Sequence, residues 1–125
     1  MEFDTDGWTE QTAHEALAIG LGFPDYYGRN LDAFNDCLGD LYSADTHGLV
    51  VVFQHFDEFT RNEPSFCWGL LNVIAHVSRH WLLSGQRLIG IVQSDDPHLR
   101  YDPVGGSTPF WNGAEWLDAS RVGKQ

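Results

Sequence analysis

Tyr26-Tyr27-Gly28-Arg29-Asn30-Leu31-Asp32-Ala33-Phe34-Asn35-Asp36-Cys37-Leu38 is the stretch on which the reading of this chain turns. A tyrosine-rich loop bends at Gly28 and enters a short amphipathic helix. Leu31, Phe34, Leu38 and Leu41 fall at helical spacing on one side, the side that should face a core. Asp32, Asp36 and Asp40 recur every fourth residue on another side. Like charges stacked in this way cost a helix roughly 0.2–0.5 kcal/mol per pair. Folding gains nothing from such a row. A cationic partner that neutralises it would give it a use.

The segment resembles the signature of the barstar family, intracellular inhibitors of barnase-type ribonucleases: two tyrosines, a turn glycine, Asn-Leu-Asp-Ala and Asp-Cys-Leu, preceded by an apolar residue and proline (here Phe23-Pro24-Asp25). Weaker resemblance runs from about Thr9 to Ser94, and the last thirty residues fall outside it. The resemblance implies a small three-layer α/β fold, a mostly parallel sheet flanked by helices. It implies no catalysis and no cofactor. It implies instead a partner-binding face built from Tyr26, Asn30, Leu31, Asp32, Asn35, Asp36, Gly39 and Asp40, with Asp36 set deepest in the nuclease site, and a further contact at His76. Two positions depart from the pattern. Asn35 stands where the best-known member carries tryptophan, and His76 replaces an acidic contact.

Composition agrees with one small domain. A chain of 125 residues can bury about two thirds of its unfolded surface, and a hydrophobic share of 42% argues against disorder. The longest apolar runs, such as Leu49–Phe53 and Leu88–Val92, are too short to span a bilayer. Met1-Glu2-Phe3-Asp4 has neither a basic nor an apolar leader region, so no secretory signal is expected. Cys37 and Cys67 are isolated, which suits buried reduced thiols and a cytoplasmic location. The 18 acidic and 7 basic residues give a formal charge of −11. That balance argues against direct contact with nucleic acid, whose phosphates need Lys and Arg. It favours a strongly basic protein, here a ribonuclease of the barnase or toxin-domain kind bound 1:1 by a monomer. Plain solubility explains net charge equally well. The clustering of Asp25, Asp32, Asp36, Asp40 and Asp45 around one motif is what tips the reading. A regulatory or scaffold domain of the same fold, binding another basic protein, stays open as the alternative.

Along the chain, Met1–Thr5 suits a short edge strand, and whether it makes a third parallel strand is open. Thr9 is placed to cap a helix ending near Leu21 and Gly22, with Ala13, Ala16, Leu17 and Leu21 inward. The loop Phe23–Gly28 leads to the acidic helix, about Asn30 to Leu41. Leu49–Phe53 reads as a strand covered on both faces. A short helix over Phe56–Asn62 and a long one from Ser65 to about Leu83 follow, the latter with Leu70, Leu71, Ile74 and Val77 on its apolar face. Arg87–Val92 is a second buried strand. Two strands joined by a helix make a βαβ unit with a parallel sheet. Residues 1–94 are thus expected to form the α/β domain. Residues 95–125 should be an extension packed on it, with Asn112-Gly113 turning a hairpin over Phe110–Trp116.

Other chemistries fit less well. Glycosidase-type carboxylate pairs flank a cleft, whereas Asp32 and Asp36 lie on adjacent turns of one exposed helix. His76 and His80 have the i, i+4 spacing of a zinc helix, but Val77 stands where the zincin motif needs glutamate and no third ligand is near in sequence; they read as ordinary surface histidines. His14, His47, His55 and His98 carry no pattern. Gly105-Gly106-Ser107-Thr108 lacks the lysine of a phosphate loop and reads as a turn. Cys37 has acidic neighbours, which disfavour a nucleophilic thiolate. Of the tyrosines, Tyr27 is expected to pack under the loop and Tyr26 to stay exposed as an interface anchor.

Overall fold

The computed structural model describes residues 1–41, 48–96, 99 and 103–105. The elements are β1 (Glu2–Asp4), α1 (Glu10–Leu21), α2 (Leu31–Asp40), β2 (Gly48–Gln54), α3 (Phe56–Asn62), α4 (Pro64–Leu83) and β3 (Arg87–Val92). The three strands form one sheet in the order β1-β2-β3, parallel throughout. Phe3 lies opposite Phe53, and Val51 opposite Gly90, so β2 is the central strand. The doubtful third strand therefore exists. It is only three residues long, too few to show a sequence period.

Helix boundaries follow local chemistry. Thr9 caps α1 through a capping box: its Oγ1 accepts from the Thr12 N–H, and Thr12 Oγ1 accepts from the Thr9 N–H at 2.8 Å. Gly22 ends the helix at φ 68°, in the left-handed region that glycine enters without a Cβ penalty. Pro64 occupies the first turn of α4, where a missing N–H costs nothing. Between β2 and α3, His55 takes φ 57° and its Nδ1 lies 2.9 Å from Asp4 Oδ1.

The core is aromatic. Phe53, Phe56, Phe59 and Phe66 form a chain with ring centroids 5.5–6.0 Å apart, and Trp8 meets Phe59 edge-on at 5.6 Å. Each buried phenylalanine contributes roughly 1.5–3 kcal/mol, and each well-placed ring pair about 0.5–1.5 more. Leu17 from α1, Phe34 and Leu38 from α2, and Leu70 and Ile74 from α4 complete the core. Cys37 and Cys67 are free and buried within it.

The α/β fold with a parallel sheet stands as expected, but the covering of β2 and β3 on both faces does not. Val51, Phe53 and Leu88 are buried against the helices, while Val50, Ile89 and Ile91, on the opposite face, are 41–45% exposed. Among the described residues the helices cover one face of the sheet. The hairpin expected over residues 110–116 lies outside the described residues, as does Asp45. Residues 103–105 run along α4. Trp68 Nε1 donates to the Pro103 carbonyl at 3.3 Å, the Gly105 N–H donates to Asn72 Oδ1 at 2.8 Å, and Arg79 donates to the Gly105 carbonyl. Among the described residues no helix is long and apolar enough to cross a membrane.

Candidate functional site

The loop before α2 is fixed at both ends. The Phe23 N–H donates to the Ala18 carbonyl at 2.9 Å, closing the end of α1, and the Tyr27 N–H donates to the Pro24 carbonyl at 3.0 Å, closing a tight turn. This turn separates the two tyrosines. Tyr26, at its tip, is 81% exposed, and Tyr27 is buried. The Tyr27 ring packs on Phe23 with centroids 5.0 Å apart, and its hydroxyl lies 2.5 Å from His14 Nδ1. Burial pushes the Tyr27 phenol up to about 12, so it stays protonated. Burial likewise lowers the His14 pKa, outweighing the raising effect of Glu10.

His14 is the residue that sequence reading missed. It carries no motif, yet its side chain ties α1 to the loop that presents Tyr26. Its ring also meets Phe66 edge-on at 5.2 Å. Its Nε2 is buried with no hydrogen-bond partner among the described residues.

Asn30 starts α2. Its Oδ1 accepts from the Ala33 N–H at 2.7 Å and its Nδ2 donates to the Gly28 carbonyl at 3.3 Å. The residue that the resemblance marks as a contact is thus also the helix cap, committed to two local bonds. The preceding Arg29 sits at φ 54°, and its guanidinium is 3.5 Å from Glu15 of α1. Leu31 is half-buried and reaches α4 at Gly69, where its Cδ1 lies 2.5 Å from the place a Cβ would occupy. Any larger residue at position 69 would force the Leu31 side chain to shift.

From this anchored start, α2 turns Phe34, Cys37 and Leu38 into the core. Asp32, Asp36 and Asp40 are exposed, and Asn35 and Gly39 are half-buried. Among the described residues no Lys, Arg or His pairs with these three aspartates. Asp32 is in the first turn, where the helix dipole favours it; Asp40 is in the last turn, which holds no basic residue. Burial, with help from Asp40 and Asp36, raises the Cys37 thiol, so it is a neutral core residue and no nucleophile.

His76 is exposed on α4. It follows Gly69 by two helical turns, so it lies on the same side of α4 as the residue that Leu31 of α2 meets. Its ring contacts His80 with centroids 4.8 Å apart. Among the described residues no group of three or more His, Cys, Asp or Glu side chains is placed to hold a metal ion.

The arrangement is a hydrogen-bonded loop with an exposed aromatic tip, followed by a helix whose row of carboxylates has no basic partner among the described residues. The fold is a small parallel α/β domain that carries this acidic face on α2. The family described as Barstar (barnase inhibitor) matches residues 1–93, and the chain belongs to the barstar family. It is also 38% identical, over 64 residues, to a protein of Bacillus subtilis (strain 168) named "Putative ribonuclease inhibitor YrdF"; the match covers 51% of this chain and 67% of the relative.

Proposed function

We propose that this protein inhibits a basic ribonuclease, inside the cell that makes both, by inserting α2 and the Tyr26 loop into the nuclease's cationic active site. The observation that carries the reading is that Asp32, Asp36 and Asp40 are exposed, with no basic partner among the described residues, on a helix whose other side packs Phe34, Cys37 and Leu38 into the core. Carboxylates there would take the places of RNA phosphates. They would accept charge-assisted hydrogen bonds from Arg, Lys and His⁺, which are about twice as strong as neutral ones. Tyr26 supplies a large amphipathic contact at small entropic cost. No bond is made or broken, so the protein acts by occupancy. Family membership and the name of the Bacillus subtilis relative support the same reading.

The test is an RNA-cleavage assay. The purified protein is titrated against basic ribonucleases of the barnase type and toxin nuclease domains. Stoichiometric inhibition of at least one is expected, with association slowing as salt rises. The Debye length falls from about 30 Å at 0.01 M to about 8 Å at 0.15 M, so steering by a −11 protein should fade over that range. Full nuclease activity in the presence of excess protein, across such a panel, would overturn the proposal.

A further inference from the structure

We propose that His76 and His80 form a two-nitrogen surface site for a borderline divalent transition-metal ion of the zinc, copper or nickel class. Their spacing alone marks them only as neighbours one helical turn apart. The structure adds a sharper fact: the two Nε2 atoms lie 3.3 Å apart, with the rings steeply inclined at 73°. A lone proton can bridge the two nitrogens at that distance. So can a metal ion. Zinc–imidazole bonds are about 2.0–2.1 Å long, and two such ligands on a tetrahedral centre stand ~3.3 Å apart. The pair is therefore preset to the bite of one ion, once both rings carry their remaining proton on Nδ1 and offer Nε2 lone pairs.

The surroundings suit this use. Both histidines are exposed, so hydrated metal reaches them without opening the fold. The cation between them in sequence, Arg79, is engaged by the Gly105 carbonyl. Asn72, one turn before His76, is likewise occupied by the Gly105 N–H. With two protein nitrogens, a tetrahedral ion keeps two positions for water or for a donor from another molecule. Such a site binds reversibly, and bound metal would add to stability only by mass action. It differs from a closed structural zinc site, and the lack of a third protein donor among the described residues is in keeping with it. The ion would sit on the side of α4 that carries Gly69, which Leu31 of the acidic helix meets.

The experiment uses the free full-length protein and Zn²⁺, and so stands apart from the ribonuclease reading. Titration calorimetry with ZnCl₂ at pH 7.4 runs beside ¹H–¹⁵N spectra of the imidazole nitrogens. One equivalent is expected to bind, with the His76 and His80 Nε2 signals moving together. Loss of chelation in His80→Ala or His76→Ala should weaken binding about tenfold or more. His55→Ala, which removes the imidazole beside Asp4, should leave it unchanged. Equal affinity in wild type and His80→Ala, or zinc shifts centred on His55, would overturn the proposal. Both altered side chains are exposed, so the variants should keep the wild-type fold, which far-ultraviolet circular dichroism checks.

Discussion

Two acidic regions of this molecule are built on opposite principles. At the C-terminal ends of β2 and β3, the Asp57 side chain is only 12% exposed and is fully engaged. Arg61 Nη2 donates to its Oδ2 at 3.1 Å, and the Asp95 N–H donates to its Oδ1 at 3.4 Å. The same guanidinium lies 3.7 Å from Asp96. Those charges hold α3 to the end of the sheet. On α2 the carboxylates of Asp32, Asp36 and Asp40 stand in water with no basic partner among the described residues. Among the described residues, Arg61 is spent on pairing Asp57 and no basic residue on α2. The difference separates acidic residues that serve stability from those that the proposed function assigns to a partner.

Exchanging the two losses gives the largest expected effect. Asp36→Ala should weaken binding to an inhibited nuclease by about 2–8 kcal/mol, a range that already includes an aspartate of the barnase–barstar pair. It should shift unfolding free energy by no more than about 0.5 kcal/mol. Asp57→Ala should do the reverse. It loses two hydrogen bonds at a nearly buried carboxylate and should cost about 1–3 kcal/mol of stability, while inhibition stays at the wild-type level. Inhibition constants and urea unfolding of both variants check this. Were Asp36→Ala to unfold the protein, or Asp57→Ala to abolish inhibition, the division of roles would be wrong.

A smaller effect separates the exposed helix from the buried support beneath its loop. In the folded protein burial holds the His14 pKa below the usual 6.5, so a proton that the unfolded chain accepts near that pH is refused by the folded one. The unfolded state then binds more protons, and stability falls as pH drops from about 6.5 toward the lowered value, with a limiting slope near ~1.4 kcal/mol per pH unit. The His55–Asp4 pair works in the opposite sense, because the hydrogen bond to Asp4 raises the His55 pKa. The telling quantity is thus the difference between wild type and His14→Gln, measured by urea unfolding from pH 5 to 7.5. The wild-type curve should fall more steeply on acidification. Parallel curves would mean that His14 is protonated in the folded state.

What the sequence made legible, and what it hid, divides along the same line. The phase of Leu31, Phe34 and Leu38 against Asp32, Asp36 and Asp40 is local, and it placed the core and solvent sides of α2 correctly. The separation of Tyr26 from Tyr27 was equally local, since a tight turn sends neighbours in opposite directions. His14 was illegible because its partners, Tyr27 and Phe66, meet it only in the folded core. Asn30 was read as a contact, although an asparagine just before an amphipathic helix is also a cap signal. The unbroken apolar run of β2 and β3 suggested cover on both faces. An apolar residue reports only that it tolerates burial, and Val50, Ile89 and Ile91 lie on the face that the described helices leave open.

The smallest expected effect lies within the acidic row itself, where position along the helix sets the sign. Asp32 occupies the first turn of α2, near the positive end of the dipole, and Asp40 the last turn, near the negative end. Each also repels Asp36 one turn away. For Asp32→Asn the loss of the favourable dipole interaction offsets the relief of repulsion, and stability should barely move. For Asp40→Asn both terms act together, and stability should rise by about 0.3–1 kcal/mol at low salt, shrinking as ionic strength increases. Urea unfolding in 10 mM and 500 mM salt resolves the two variants. An Asp40→Asn protein less stable than wild type would mean that this carboxylate has a structural partner, and that the row on α2 is not kept wholly for another molecule.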